Sequence, residues 1–282
     1  MFQEARMGNA INVEAVGPLV EEIAASVWRN PNALISVARL KTQDDYIYMY
    51  SVAVCALMIA LGKEMGMSKV QVAEAGMGGL LHDLGKAVMP VDVLNKPGKL
   101  TADEFSIIKS HPVKGYEMLL EGGQAKPSAL DISLHHHEKI NGLGYLHSLV
   151  GKKISVFAKM AAICDVYDAI TSVRPYKEGW DPATSVKRMA NWEGHFDKNI
   201  FQAFVKSIGI YPVGSLVRLA SDTMGIVIEP GISSLLTPKV KVFFSLKSRQ
   251  TIPVSTIDLA SQKVRDKIVG VEDAVDWGSK PP

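Results

Sequence analysis

The chain has 282 residues and a mass of 30.6 kDa, room for one large domain or one domain with a small appendage. Hydrophobic residues make up 47% and charged residues 21%, with a formal net charge of +2, so a buried core is expected and duplex DNA is not implied as a partner by charge. The two cysteines, Cys55 and Cys164, lie in apolar stretches and read as buried thiols, suggesting neither a disulfide scaffold nor a thiolate metal site.

The first residues, MFQEARMGNAINVEA, lack the basic start and apolar core of a signal peptide. Val13 to Val27 is apolar on one helical face, and Asp44 to Met65 is a second helical stretch. Within it, Val52 to Leu61 is too short to cross a bilayer and runs into Lys63 and Glu64. No membrane span is expected, and the chain, or the part of a longer protein that it represents, reads as cytoplasmic. Ser68 with Gln71 has the spacing of a capping box and predicts a helix running to His82. Gly76, Gly78 and Gly79 weaken that helix and point to close packing against a neighbour. After a loop at Pro90 to Gly98, Thr101 with Glu104 predicts another helix to about Leu120, bent or interrupted at His111-Pro112. Further helices are expected over Pro127 to His136, over Ser155 to Ser172, from Asp181-Pro182 onward, and over Phe196 to Ile208. Beyond Gly209 the pattern changes to short strands at Ser215 to Leu219, Gly225 to Glu229 and Val240 to Leu246.

Several polar residues interrupt these apolar patterns. His82-Asp83 ends one helix, His111 lies in the next long one, and His135-His136-His137-Glu138 closes another. Asp165 sits in the apolar run AAICDVYDAI, where a carboxylate is costly unless bound. Taken singly, each has a structural reading: a surface His-Asp pair, a histidine tract without function, a carboxylate in an ion pair. Together, five of the seven histidines fall between positions 82 and 137. Imidazoles mixed with carboxylates suit iron, manganese, zinc or nickel better than magnesium. Two such ions about 3.5–4 Å apart, sharing a carboxylate and a water, are suited to phosphate-ester hydrolysis.

With their surroundings these residues resemble the HD-GYP family, the cyclic di-GMP phosphodiesterase branch of the HD phosphohydrolases. The likeness covers roughly residues 40 to 212 and rests on HDLGK (82–86), PVDVLNKPGKLT (90–101), KSHPVKG (109–115), HHEKINGLGY (136–145) and DVYDAITSVRPYK (165–177). The resemblance implies an all-α HD-type helical bundle, residues 41–209, with a small antiparallel β appendage at 210–260. An N-terminal helical segment at 1–40 and a tail at 261–282 complete the expected organisation.

It also implies metal ligation by His82, Asp83, His111, His136, His137 and Asp165, with Asp83 bridging two divalent ions, iron or manganese. His135 is then the extra histidine. Lys86 matches the lysine that contacts phosphate and steadies or protonates the leaving oxygen. Tyr145 matches the tyrosine of the GYP motif, and Arg174 and Lys177 match basic residues that hold substrate phosphates. The implied substrate is cyclic di-GMP, opened to linear pGpG or GMP, and signalling proteins are implied as partners. Two positions depart from the family pattern. Leu146 replaces the proline of GYP, and Tyr50 stands where the family places a ligand histidine. Tyr46, one turn earlier, replaces the glutamate with which some relatives bind a third ion. Tyr50 either ligates through its phenolate or only shapes the site. The second possibility keeps open an alternative function, a degenerate module that binds cyclic di-GMP or a protein with little catalysis.

Overall fold

The computed structural model describes residues 2–7, 12–29, 46–172, 179–180, 182–211, 213–231 and 234–272. The chain divides into two compact units, Met1–Gly179 with Ala190–Ser207, and Trp180–Met189 with Ile208–Pro282. An all-α description is therefore too narrow: a helical unit is joined by one built on a five-stranded antiparallel sheet.

In the first unit α1 (Phe2–Arg6) and α2 (Gly17–Arg29) precede the central helix α3 (Tyr46–Glu64). Ala53 to Leu61 of α3 is buried on every side, which explains why its apolar residues follow no single stripe. No described helix is long and apolar enough to cross a membrane. Next comes α4 (Lys69–Leu81), opened by the Ser68/Gln71 capping box. A Cβ added at Gly79 would lie 2.9 Å from Met58 Cγ and 3.2 Å from the Cys55 backbone. Gly79 thus lets α4 press against α3 at backbone distance, while Gly76 and Gly78 make room for the side chains of Ile59 and Ile132, the reason for residues that are otherwise poor helix formers.

After a 3-10 turn at Leu84–Val88, α5 (Val91–Leu94) occupies part of the expected loop. The stretch expected to be bent or interrupted at His111-Pro112 is interrupted just before it, giving two helices, α6 (Ala102–Ile108) and α7 (His111–Glu121), parted at Lys109-Ser110. Pro112 falls in the first turn of α7, where its missing N–H has no partner to lose. The helices α8 (Pro127–His135), α9 (Val156–Thr171) and α11 (Lys198–Ile208) complete this unit. Tyr167 of α9 meets Phe204 of α11 edge-to-face at 5.1 Å inside the core.

The second unit holds α10 (Pro182–Ala190) and strands β1 (Leu216–Leu219), β2 (Thr223–Glu229), β3 (Lys239–Ser245), β4 (Gln250–Asp258) and β5 (Ile268–Val271). The expected cap Asp181 lies outside the described residues. The sheet order is β4-β3-β2-β1-β5, all antiparallel. Val217, Leu219, Val227, Val240, Val242 and Leu259 form its core. Two of the five strands were not expected from the sequence. β4 contains Pro253, which demotes a strand in a reading of periodicity alone. It is an edge strand, and its register against β3 shifts between Val242 and Phe244, opposite the proline. β5 lies beyond residue 260, in the segment expected as a tail.

Candidate metal centre

The helical unit brings the ends of three helices and the middle of a fourth to one place. His82 caps the C-terminus of α4 and Asp83 follows it. His111 opens α7, His136 caps the end of α8 with His137 next, and Asp165 projects from α9. Helix ends suit this task, since their unpaired backbone groups can hold side chains in place. His82 Nδ1 lies 2.7 Å from the Gly79 carbonyl, and His111 Nδ1 2.7 Å from that of Ile108. His136 Nδ1 lies 3.0 Å from the carbonyls of Ile132 and Ser133. A carbonyl only accepts, so each Nδ1 donates and each Nε2 is the nitrogen turned inward, the one that can offer a lone pair to a metal.

Two donor groups result: Asp83, His111, His136 and His137, and His82, Asp83 and Asp165. Asp83 belongs to both. Its Oδ1 lies 3.2 Å from His111 Nε2 and its Oδ2 3.2 Å from His82 Nε2. Asp165 Oδ1 lies 3.6 Å from His82 Nε2, and Asp165 Oδ2 3.9 Å from His137 Nδ1. His111 Nε2 lies 3.3 Å from Nε2 of both His136 and His137. Most of these side chains are nearly inaccessible to solvent, and His82 Nε2 and Asp83 Oδ1 are buried with no hydrogen-bond partner.

The electrostatics of this cluster call for a cation. Burial lowers the pKa of His82, yet the carboxylates of Asp83 and Asp165 raise it to about 10. Burial opposes ionisation of Asp83, but Lys86, His82 and His111 hold it well below its ordinary value. Burial similarly opposes ionisation of Asp165, which its neighbours His82 and His137 bring below the usual carboxylate range. Burial, with His137 and His82 beside it, pushes His136 well down, and burial takes His137 to about 3 despite Asp165. Two ionised carboxylates thus share a dry site with the neutral imidazoles of His136 and His137 and, while no ion is bound, a protonated His82. A divalent ion fits these donors: it satisfies the orphaned Nε2 and Oδ1 and takes over the charge balance otherwise left to a protonated His82.

Around this cluster stand the other expected residues. Lys86 Nζ lies 2.5 Å from Asp83 Oδ2. Tyr50 is buried, and its hydroxyl donates to the Asp165 carboxylate and, at 3.0 Å, to the Asp165 carbonyl. The Tyr145 ring stacks on His137 at 4.6 Å, and burial, then Asp165 and Asp83, raise its phenol pKa so that it stays neutral. Arg174 and Lys177 lie outside the described residues. His135 belongs to neither donor group and bonds to Asp131 instead.

Three residues that sequence reading did not assign also shape the rim. Lys109 Nζ lies 5.8 Å from the centre of the Tyr145 ring. Buried Glu138 accepts the N–H groups of His147 at 2.7 Å and Leu149 at 3.0 Å, folding the following loop around its carboxylate. Gly144 makes that fold possible, because a Cβ there would lie 2.5 Å from Glu138 Cα. Lys109 and Glu138 were both visible within the quoted motifs; their partners were not.

A helical unit whose helix ends converge on a shared carboxylate, four imidazoles and a second carboxylate defines a class of protein whose buried donors suit divalent metal and hydrolytic chemistry. Comparison with known proteins narrows the class. A family model described as HD domain matches residues 19–200. The cyclic di-GMP phosphodiesterase PA4108 of Pseudomonas aeruginosa is 54% identical over 98% of this chain and 67% of its own length. The cyclic di-GMP phosphodiesterase response regulator RpfG of Xanthomonas campestris is 46% identical over 43% of this chain and 32% of its own length. The chain thus spans about a third to two thirds of these relatives. The solved structure of Bd1817, an HDG"Y"P protein from Bdellovibrio bacteriovorus, shares the fold at a TM-score of 0.56, with 22% identity over 72% of this chain and 69% of that one. The chain belongs to the HD domain family.

Proposed function

We propose that this protein is a metal-dependent phosphodiesterase that hydrolyses cyclic di-GMP to linear pGpG or on to GMP, in the cytoplasm. The observation that carries the reading is the pair of donor groups sharing Asp83, with His82 Nε2 and Asp83 Oδ1 buried and unpartnered. The substrate is taken from the relatives named for that activity.

In this reading His82, Asp83 and Asp165 hold one ion, and Asp83, His111, His136 and His137 the other, with iron or manganese favoured by the mixture of imidazole and carboxylate. Such ions supply Lewis acidity, acidifying the attacking water and neutralising charge on the phosphoryl oxygens. The remaining work belongs to side chains. Lys86, partly exposed beside Asp83, reaches the scissile phosphate and gives a proton or a hydrogen bond to the departing ribose oxygen. Tyr145, neutral and stacked on His137, presents its phenol to the nucleotide. Arg174 and Lys177 are assigned to the phosphates by the motif they share with the family, and Lys109 adds a cation beside Tyr145.

The test is anaerobic purification, metal counting by mass spectrometry, and a cyclic di-GMP turnover assay with Fe(II), Mn(II) and other ions. About two ions per chain and turnover dependent on them are expected. A protein that binds cyclic di-GMP but hydrolyses it with no ion is instead a binding module, the reading that Tyr50 beside Asp165 favours. Turnover of a different nucleotide alone would overturn the substrate.

A further inference from the structure

Outside the two donor groups, a second arrangement of imidazoles has the same construction. His135 Nδ1 lies 2.8 Å from Asp131 Oδ1. An ionised carboxylate only accepts, so Nδ1 carries the proton and Nε2 is left with its lone pair. Asp131 is itself fixed, because its other oxygen accepts from Ser155 Oγ, the N-cap of α9. The free nitrogen of His135 lies 3.0 Å from Nδ1 of His147. In the centre, His111 has one ring nitrogen tied to a carbonyl and the other 3.3 Å from its neighbours' nitrogens. Here a carboxylate takes the carbonyl's place, an arrangement that orients metal-ligating histidines and raises their basicity. At metal–nitrogen distances of about 2.0–2.1 Å, two nitrogens 3.0 Å apart subtend roughly 95° at one ion.

We propose that His135 and His147 form a third, peripheral cation site for a divalent transition ion that prefers imidazole, of the nickel, copper and zinc kind. It differs from the centre in access: the His135 side chain is 16% exposed and His147 is at the surface. It also differs in strength, since the chain supplies two ligands and water the rest. In the ion-free protein the His147 Nδ1–H donates to His135. On binding, that proton moves to Nε2 of His147, so no proton is released. The bound ion joins the end of α8 to the loop that carries Tyr145, which Glu138 already anchors at the His147 N–H. Metal availability thereby acts on the rim of the site as well as on its centre.

The test uses tag-free, manganese-loaded protein titrated with Ni(II) in a calorimeter, with both metals counted by mass spectrometry after removal of free ion. One nickel per chain taken up with manganese retained is expected. His147→Gln, a surface loop change, abolishes that uptake and keeps the manganese. Asp131→Asn, with its fold checked by circular dichroism, weakens nickel binding about tenfold. No nickel uptake by the wild type, or uptake only as manganese leaves, reduces the pair to a hydrogen bond and overturns the proposal. Equal uptake by His147→Gln places the nickel elsewhere and also overturns it. A chain that holds no manganese would defeat the two-ion function proposed above, yet a His147-dependent nickel equivalent would still be counted.

Discussion

Tyr50 lies behind the centre with its ring centroid 5.9 Å from that of His82 and its hydroxyl directed at Asp165. To donate to a carboxylate and a carbonyl together the phenol must keep its proton, which argues against a phenolate ligand in this arrangement. Tyr50 instead steadies Asp165, leaving the His82 group with three protein donors against four in the other. The three-donor group is then the weaker holder. Tyr50→Phe, which deletes the O–H, is expected to weaken one of the two ions about tenfold. Tyr50→His, which offers a further imidazole, is expected to tighten that ion and raise turnover at low metal concentration. Metal titrations of the three proteins decide this, and identical affinities in all three would remove Tyr50 from control of the centre. At this scale the sequence was most informative where chemistry is unusual for its setting. Asp165 stood out as a costly carboxylate in an apolar helix, and His82, Asp83, His111, His136 and His137 by the clustering of histidines and the family motifs that hold them; the fold brings all six together. Glu138, His147 and Lys109 were opaque for the opposite reason, since a loop carboxylate, imidazole or ammonium is ordinary until the chain path shows what it meets.

Among the elements, helix ends were legible because capping is local. Ser68/Gln71 and Thr101/Glu104 form the capping boxes that their spacing announces. Sheet edges were not, because Pro253 reads as a breaker until the strand is known to have a free side. The α3–α4 contact positions His82, so its tightness bears on the site. Gly79→Ala inserts a methyl 2.9 Å from Met58 Cγ and 3.2 Å from the Cys55 backbone, which cannot withdraw. A loss of about 1–3 kcal/mol in urea unfolding is expected, and an unchanged midpoint would show that the helices separate freely. The loop bearing Tyr145 has its own support. Ile140 and Asn141 donate to the carbonyls of His195 and Gly194 at 3.2 and 2.9 Å. Burial, with Lys139 nearby, lowers the pKa of His195 to about 4. The unfolded chain, with a histidine pKa of about 6.5, takes up this proton first as pH falls. Stability from the neutral ring is therefore complete above the unfolded pKa, declines as pH falls toward 4, and loses nothing further below that. His195→Gln should flatten the urea midpoint between those two pH values in metal-stripped protein. Parallel pH profiles for variant and wild type would contradict the assignment.

For the molecule as a whole, near-neutral net charge conceals a helical unit whose interior holds the ionised carboxylates of Asp83 and Asp165 beside a protonated His82 and the neutral rings of His136 and His137. Folding the metal-free chain must dehydrate Asp83 and Asp165, compensated among the described residues by His82, His111, His137, Lys86 and the Tyr50 hydroxyl. An ion that binds the folded chain in preference to the unfolded one removes that deficit, and its binding free energy becomes folding free energy. At an ion concentration about a hundredfold above the dissociation constant, each site adds about 2.7 kcal/mol. Stripping the protein with a chelator should therefore lower its unfolding temperature, and Mn(II) should restore it. Asp83→Asn, which weakens the one carboxylate common to both donor groups, is expected to lose most bound metal, nearly all hydrolysis and the greater part of this metal-dependent shift. Scanning calorimetry of wild type and variant, with and without Mn(II), separates the possibilities. A wild type indifferent to chelation would mean that the orphaned nitrogen and oxygen are satisfied without a metal. A variant that still responds in full would mean that Asp83 does not join the two groups.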